Sequence, residues 1–222
     1  VTANEDTPFG KLAVVGNELV GIIYNEDAAR MEHYSSTNGT AWTDESVNIS
    51  ISSGPIGIAT YPGIDDADKC YYVTTDGLWE VDTAPATWTA NLIYAFSLTE
   101  TPAISQCLAV HGGRLWIGIQ GGDNSNPYFI TMDTKSGDRD FQVEPLADTA
   151  LITEMLGSVW WMKSYGAFLY AGVGGGAASR NARVICHNGK GWHSVYRHGT
   201  ADQRIEWIHL SPEQDGLDKL HL

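Results

Sequence analysis

Two twelve-residue stretches of this chain align on each other without a gap. Leu12-Ala13-Val14-Val15-Gly16-Asn17-Glu18-Leu19-Val20-Gly21-Ile22-Ile23 aligns on Leu108-Ala109-Val110-His111-Gly112-Gly113-Arg114-Leu115-Trp116-Ile117-Gly118-Ile119, and Leu115 follows Leu19 by 96 residues, twice 48. Each copy reads as an apolar run, a tight turn and a second apolar run, the pattern of strand, hairpin and strand. Such a repeat limits the fold severely, because a recurring unit must bury its faces against its own neighbours.

Further repeats fall in phase. Tyr165-Gly166 marks a third hairpin of the same kind, leading into Phe168-Leu169-Tyr170-Ala171-Gly172-Val173, and Leu169 lies 54 residues after Leu115. A longer connection, residues 62–68, leads into Cys70-Tyr71-Tyr72-Val73, and Asp76-Gly77 sits between two alternating runs. An aromatic residue follows a polar turn at Trp42, Trp88, Phe141 and Trp192, in steps of 46, 53 and 51 residues. No segment holds a capped 3.6-residue period beyond about three turns, and only residues 145–156 suggest one short helical turn. A unit of 40 to 50 residues made of four strands is a β-propeller blade, so the expected fold is an all-β propeller of four-stranded antiparallel blades. The expected domain is a single propeller over 1–222, or part of one, with blades near 11–52, 56–97, 105–146 and 158–200 and a partial blade over 204–222. Val1 is not an initiator Met, and the chain stops in an apparent strand. These ends suggest a segment of a longer polypeptide and a complete ring of about six to eight blades.

Composition narrows the partners. Hydrophobic residues make up 43% and charged residues 18%, as in a globular chain. The formal charge of −14 is spread along the sequence, which argues against nucleic acid and anionic membrane as partners. Cys70, Cys107 and Cys186 are odd in number and each lies in an apolar strand pattern, so they read as small buried hydrophobes. His187, His193 and His198 lie close in sequence without a carboxylate or Cys at ligand spacing, and Asp65, Asp66 and Asp68 lack the glycine and distal glutamate of a calcium loop. Neither metal nor cofactor is expected. Asn38-Gly39-Thr40 and Asn48-Ile49-Ser50 are glycosylation sequons.

The segment Ser35-Ser36-Thr37-Asn38-Gly39-Thr40-Ala41-Trp42 resembles the Asp-box turn of sialidases, sortilin-type receptors and other propellers, with Ser35, Gly39 and Trp42 in register. Thr37 and Ala41 depart from it. His187-Asn188-Gly189-Lys190-Gly191-Trp192 keeps Gly189 and Trp192, with His187 at the Asp position. The resemblance implies a structural turn: a side-chain oxygen closes it onto backbone N–H groups, glycine permits it, and the Trp packs beneath. A sialidase-like site would need an arginine cluster, a Tyr–Glu pair and an acid, and the arginines here do not match that family's motif. The phrases Gly77-Leu78-Trp79-Glu80-Val81-Asp82 and Gly113-Arg114-Leu115-Trp116-Ile117-Gly118 resemble propeller segments of tailed-phage structural and tail proteins.

No catalytic constellation is visible. The B–C loops share one face of a propeller with the D–A loops, and they carry the candidate ligand- or partner-binding residues Asp27, Arg30, Asp123, Asn124, Asn126, Arg180 and Asn181. The leading expectation is a non-enzymatic structural or recognition module of a virion or extracellular assembly, with protein partners. One alternative is glycan binding or sialidase-like hydrolysis at the same loops. Another is an intracellular interaction scaffold, for which the in-phase Gly-His and Trp-Asp pairs of WD repeats are missing.

Overall fold

In a computed structural model the described residues are 10–51, 53–84, 86–97, 101–102, 107–120, 127–135, 137–146, 159–174, 181–201, 209–212 and 218–221; of 101–102, 145, 181, 198–201, 209–212 and 218–221 only the backbone is described. They form two compact units, Val1–Thr99 with Thr134–Arg139, and Glu100–Asp133 with Asp140–Leu222.

The first unit holds two four-stranded antiparallel sheets in sequential order. One is β1 (Lys11–Val15), β2 (Glu18–Asn25), β3 (Arg30–Ser36) and β4 (Thr43–Ser50); the other is β5 (Gly57–Pro62), β6 (Asp68–Val73), β7 (Gly77–Asp82) and β8 (Thr89–Ala95). In the second unit β9 (Thr101–Pro102) and β10 (Leu108–His111) both pair with β11 (Arg114–Gln120), followed by β12 (Tyr128–Asp133) and β13 (Asp140–Pro145). A further sheet runs β14 (Val159–Tyr165), β15 (Phe168–Val173), β16 (Asn181–His187) and β17 (Trp192–Ala201), and β18 (His209–Pro212) pairs with β19 (Asp218–His221).

The twin segments occupy equivalent places. Val15 pairs with Glu18 and Leu12 with Gly21; His111 pairs with Arg114 and Leu108 with Ile117, the same register 96 residues on. Tyr165 opposite Phe168 repeats it again. Both central residues of the His111–Arg114 hairpin are glycines with positive φ, +59° at Gly112 and +74° at Gly113, a conformation that costs a side-chain-bearing residue about 1 kcal/mol or more.

Alternation decides which face each strand buries. In the first unit Val20, Ile22 and Met31 of one sheet form a core with Ile58, Cys70, Tyr72 and Val81 of the next. His33 is also fully buried; its Nδ1 lies 2.7 Å from the Val47 carbonyl, so Nδ1 carries the proton, and its ring sits 5.7 Å from that of Tyr72. In the second unit Trp192 stacks on Phe129 at 4.3 Å and meets Trp116 edge-on at 6.0 Å. All three cysteines are free and buried, and burial alone pushes the Cys70 thiol up to about 12. The long 62–68 connection contains an ion-pair clamp: buried Lys69 reaches Asp65 at 2.9 Å and Asp82 at 2.8 Å. Of the acidic residues in this connection, Asp65 is therefore bound to a buried cation.

One sequence expectation is corrected here. The hydroxyl that closes the first Asp-box-like turn belongs to Ser36, which accepts from Gly39 N at 2.9 Å and Asn38 N at 3.3 Å. Ser35 points to the other face, where it donates to Glu45. Gly39, at φ +74°, supplies the turn conformation, but Trp42 lies half exposed instead of beneath the turn. The helical turn considered within 145–156 falls largely outside the described residues. Among the described residues no helix is long and apolar enough to cross a membrane, and no group of three His, Cys, Asp or Glu is placed to hold a metal.

Candidate functional site

The turn joining β2 and β3 is closed by Asn25, whose Oδ1 accepts from Ala28 N at 3.0 Å. Register then sets Asn25 opposite Arg30, Ile23 opposite Glu32 and Gly21 opposite Tyr34. Alternation puts these residues on one face of the sheet, with Ile22, Tyr24 and Met31 on the core-facing side.

On that face four donors converge on the buried Glu32. Asn25 Nδ2 donates to Oε1 at 2.9 Å, as does Arg30 Nε at 2.9 Å, and Arg30 Nη2 lies 2.7 Å from the same oxygen. Tyr34 OH donates to Oε2 at 2.8 Å. Burial by itself would raise the Glu32 pKa; the bonds from Tyr34, Arg30 and Asn25 outweigh it and hold the carboxyl below its usual value. Burial, reinforced by Glu32, pushes the Tyr34 phenol up to about 12. The result is a carboxylate that is charged at neutral pH with a fixed guanidinium beside it. That guanidinium uses two of its five N–H groups on Glu32, and the Arg30 side chain is 42% exposed.

An aromatic surface completes the face. The Trp42 ring covers Gly21, where an added Cβ would stand 3.2 Å from Cζ3 and 3.5 Å from Leu12 Cδ2. Trp42 is 38% exposed, and Leu12 and Val14 on β1 are 61% and 58% exposed. From the Tyr34 row to the Arg30 row is four residues, about 13 Å along the strand. Chemically the face offers a flat apolar ring at one end and oriented N–H donors beside a fixed anion at the other.

A second Tyr–Glu–Arg group in the same unit behaves differently. Arg139 Nη2 lies 2.7 Å from Glu80 Oε1 and its Nε 3.4 Å from Oε2, while Tyr71 OH donates to Oε2 at 2.7 Å. Thr134 Oγ1 donates to the Pro62 carbonyl at 3.1 Å. Here the guanidinium forks onto both carboxylate oxygens, and the network fastens residues 134–139 within the unit.

Of the residues expected to bind, Arg30 belongs to the Glu32 network and Asp27 lies exposed in the adjoining turn. Asp123, Asn124, Asn126 and Arg180 lie outside the described residues. Asn181 opens β16 opposite Ala201, with its side chain outside the described residues. Glu32 and Tyr34 escaped the sequence reading because they sit within a strand. The signal was there: Arg30, Glu32 and Tyr34 recur at every second residue, which places them on one face.

No family model and no curated protein matches the chain. Solved structures match it in fold. A puromycin-hydrolysing peptidase of Mycobacterium tuberculosis aligns over 92% of this chain and 32% of its own, with 12% identity and a TM-score of 0.56. A puromycin hydrolase aligns over 97% and 33%, with 13% identity and a TM-score of 0.58. An α-L-arabinofuranosidase of Clostridium thermocellum aligns over 99% and 83%, with 11% identity and a TM-score of 0.51. The sheets of four sequential antiparallel strands are blade-like units, the arrangement of a partial β-propeller. The chain spans about a third of the length of the two puromycin-hydrolysing proteins, and at these identities the likeness is one of fold alone.

Proposed function

We propose that this blade array is a non-enzymatic carbohydrate-recognition module that binds a short oligosaccharide on the face carrying Trp42 and Arg30. The supporting observation is the joint placement of a half-exposed indole and the Asn25–Arg30–Glu32–Tyr34 network on one sheet face. Sugars present apolar C–H faces and rings of hydroxyls. An aromatic plane answers the first, and a fixed guanidinium and carboxylate answer the second. The site is built to bind and not to transfer protons, since Glu32 is charged and already bonded by Tyr34, Arg30 and Asn25. The fold shared with an arabinofuranosidase is in keeping with this reading and adds no residue to it.

Glycan-array screening followed by titration calorimetry tests the proposal. Arg30→Ala and Trp42→Ala should each weaken binding about tenfold or more, a loss of about 1.4 kcal/mol. An array without a hit, or affinity untouched by both substitutions, rejects it.

A second reading has one observation in its favour: exposed Leu12 and Val14 extend the apolar surface beside Trp42, as a protein-docking face would. Its setting would be the virion or extracellular assembly expected from the sequence. Recovery of this polypeptide in purified virions, with assembly abolished by Leu12→Asp, would favour it over the glycan.

A further inference from the structure

Two Asn-Gly steps lie in equivalent turns, Asn38-Gly39 between β3 and β4 and Asn188-Gly189 between β16 and β17. At such a step the glycine nitrogen can attack the preceding side-chain amide, because no Cβ crowds the five-membered ring that forms. The reaction needs a base for the backbone N–H proton and an acid for the departing amide nitrogen. At Asn188 the base is in contact with the reacting atoms, and solvent can supply the acid. Gly189 N–H donates to His187 Nδ1 at 3.2 Å, so that nitrogen presents a lone pair. Asn188 Nδ2, the atom that would leave, donates to His193 Nε2 at 3.1 Å, which holds the side-chain amide in place.

The His187 ring is held in place, 5.0 Å from Trp116 and 5.2 Å from Trp192. Burial keeps it below the ordinary imidazole value; Glu144 on β13 opposes this, while His111 on β10 and His193 on β17 add to it. It is therefore a neutral base at physiological pH. Asn188, Gly189 and His193 are exposed, so water reaches the turn. The first turn lacks this chemistry: Gly39 N–H donates to the Ser36 hydroxyl at 2.9 Å, and an alcohol takes no proton near neutrality.

We propose that Asn188-Gly189 is a self-modifying site at which His187, as base, and His193, by positioning the side-chain amide, assist conversion of Asn188 to aspartate or isoaspartate. Gly189 N bonds to Asn188 Cγ and passes its proton to His187 Nδ1. The Cγ–Nδ2 bond then breaks, and Nδ2 takes a proton from solvent water and leaves as ammonia. His187 then returns its proton to the hydroxide left in solvent. Water opens the succinimide at either carbonyl, so the net change is amide plus water to carboxylic acid plus ammonia, and the acid ionises to add one negative charge to the turn.

The test is peptide mass spectrometry of the intact folded chain aged at neutral pH, with isoaspartate quantified at both steps. Asn188 should react about tenfold or more faster than Asn38, well inside what positioned proton-transfer groups achieve. In urea-unfolded protein the two rates should converge. His193→Gln, at an exposed strand position, should bring the folded Asn188 rate down towards that of Asn38. From neutral pH upward the Asn188 rate should change little, because His187 is already neutral, while the Asn38 rate keeps rising with hydroxide. Equal rates in the folded chain, an Asn188 rate no higher folded than unfolded, or a His193→Gln variant with an unchanged ratio each overturns the proposal.

Discussion

Glu32 keeps its charge beneath the surface because Asn25, Arg30 and Tyr34 all donate to it. Glu32→Gln leaves the shape and removes the charge-assisted bonds. With Arg30 half exposed, the cost should be about 1–2 kcal/mol in urea unfolding at neutral pH. His33 adds a second acid-sensitive group: burial pulls its imidazole down, against the Val47 carbonyl and the distant Asp44. Both folded-state values lie below their unfolded ones, so the unfolded chain binds more protons in acid. Stability should be full above about pH 6.5, fall first as His33 must charge, and fall again below about pH 4 as Glu32 protonates. The gap between the Glu32→Gln variant and the parent should narrow steadily as pH falls below about 4. A gap that does not change with pH would show that charge is not what Glu32 contributes.

At the scale of elements, what holds one sheet against the next is visible in the second unit. β11 and β14 approach at Gly118, where an added Cβ would stand 2.7 Å from Val159 Cγ1 and 3.1 Å from Val159 Cβ. Gly118→Ala should therefore destabilise by about 1–3 kcal/mol through overpacking. Trp192→Ala removes the stack on Phe129 and should cost about 3–5 kcal/mol, whereas Trp42→Ala, taken from a half-exposed position, should cost far less. Thermal unfolding of the three variants decides this. Similar losses for both Trp substitutions would mean that Trp42 is a packing residue, and the proposed sugar platform would lose its main support.

At the scale of the whole chain the dominant long-range term is charge. A formal −14 on 222 residues with a solvated acidic coat repels itself in the compact state. Raising monovalent salt from the low-millimolar range to about 0.5 M, where the screening length falls well below 10 Å, should raise the unfolding temperature. A fall with salt would mean that specific pairs such as Lys69 with Asp65 and Asp82, or Arg139 with Glu80, outweigh the general repulsion.

The hairpins were legible in the sequence. Leu12–Ile23 and Leu108–Ile119 encode strand, turn and strand in residues that are neighbours along the chain, so alternation and glycine placement suffice to give both element and register. The same local logic identified Cys70, Cys107 and Cys186 as buried. What the chain alone did not reveal was which side-chain atoms meet. That Ser36 and not Ser35 closes the turn depends on the side of the strand from which the β3–β4 turn departs. That Glu32 is buried and charged depends on Asn25 and Arg30 arriving from across a hairpin. That His187 and His193 bracket an Asn-Gly step depends on the pairing of β16 with β17. Hydrogen bonds act over about 3 Å between groups brought together only when strands pair, so periodicity along one dimension specifies the strands and three-dimensional pairing specifies the chemistry.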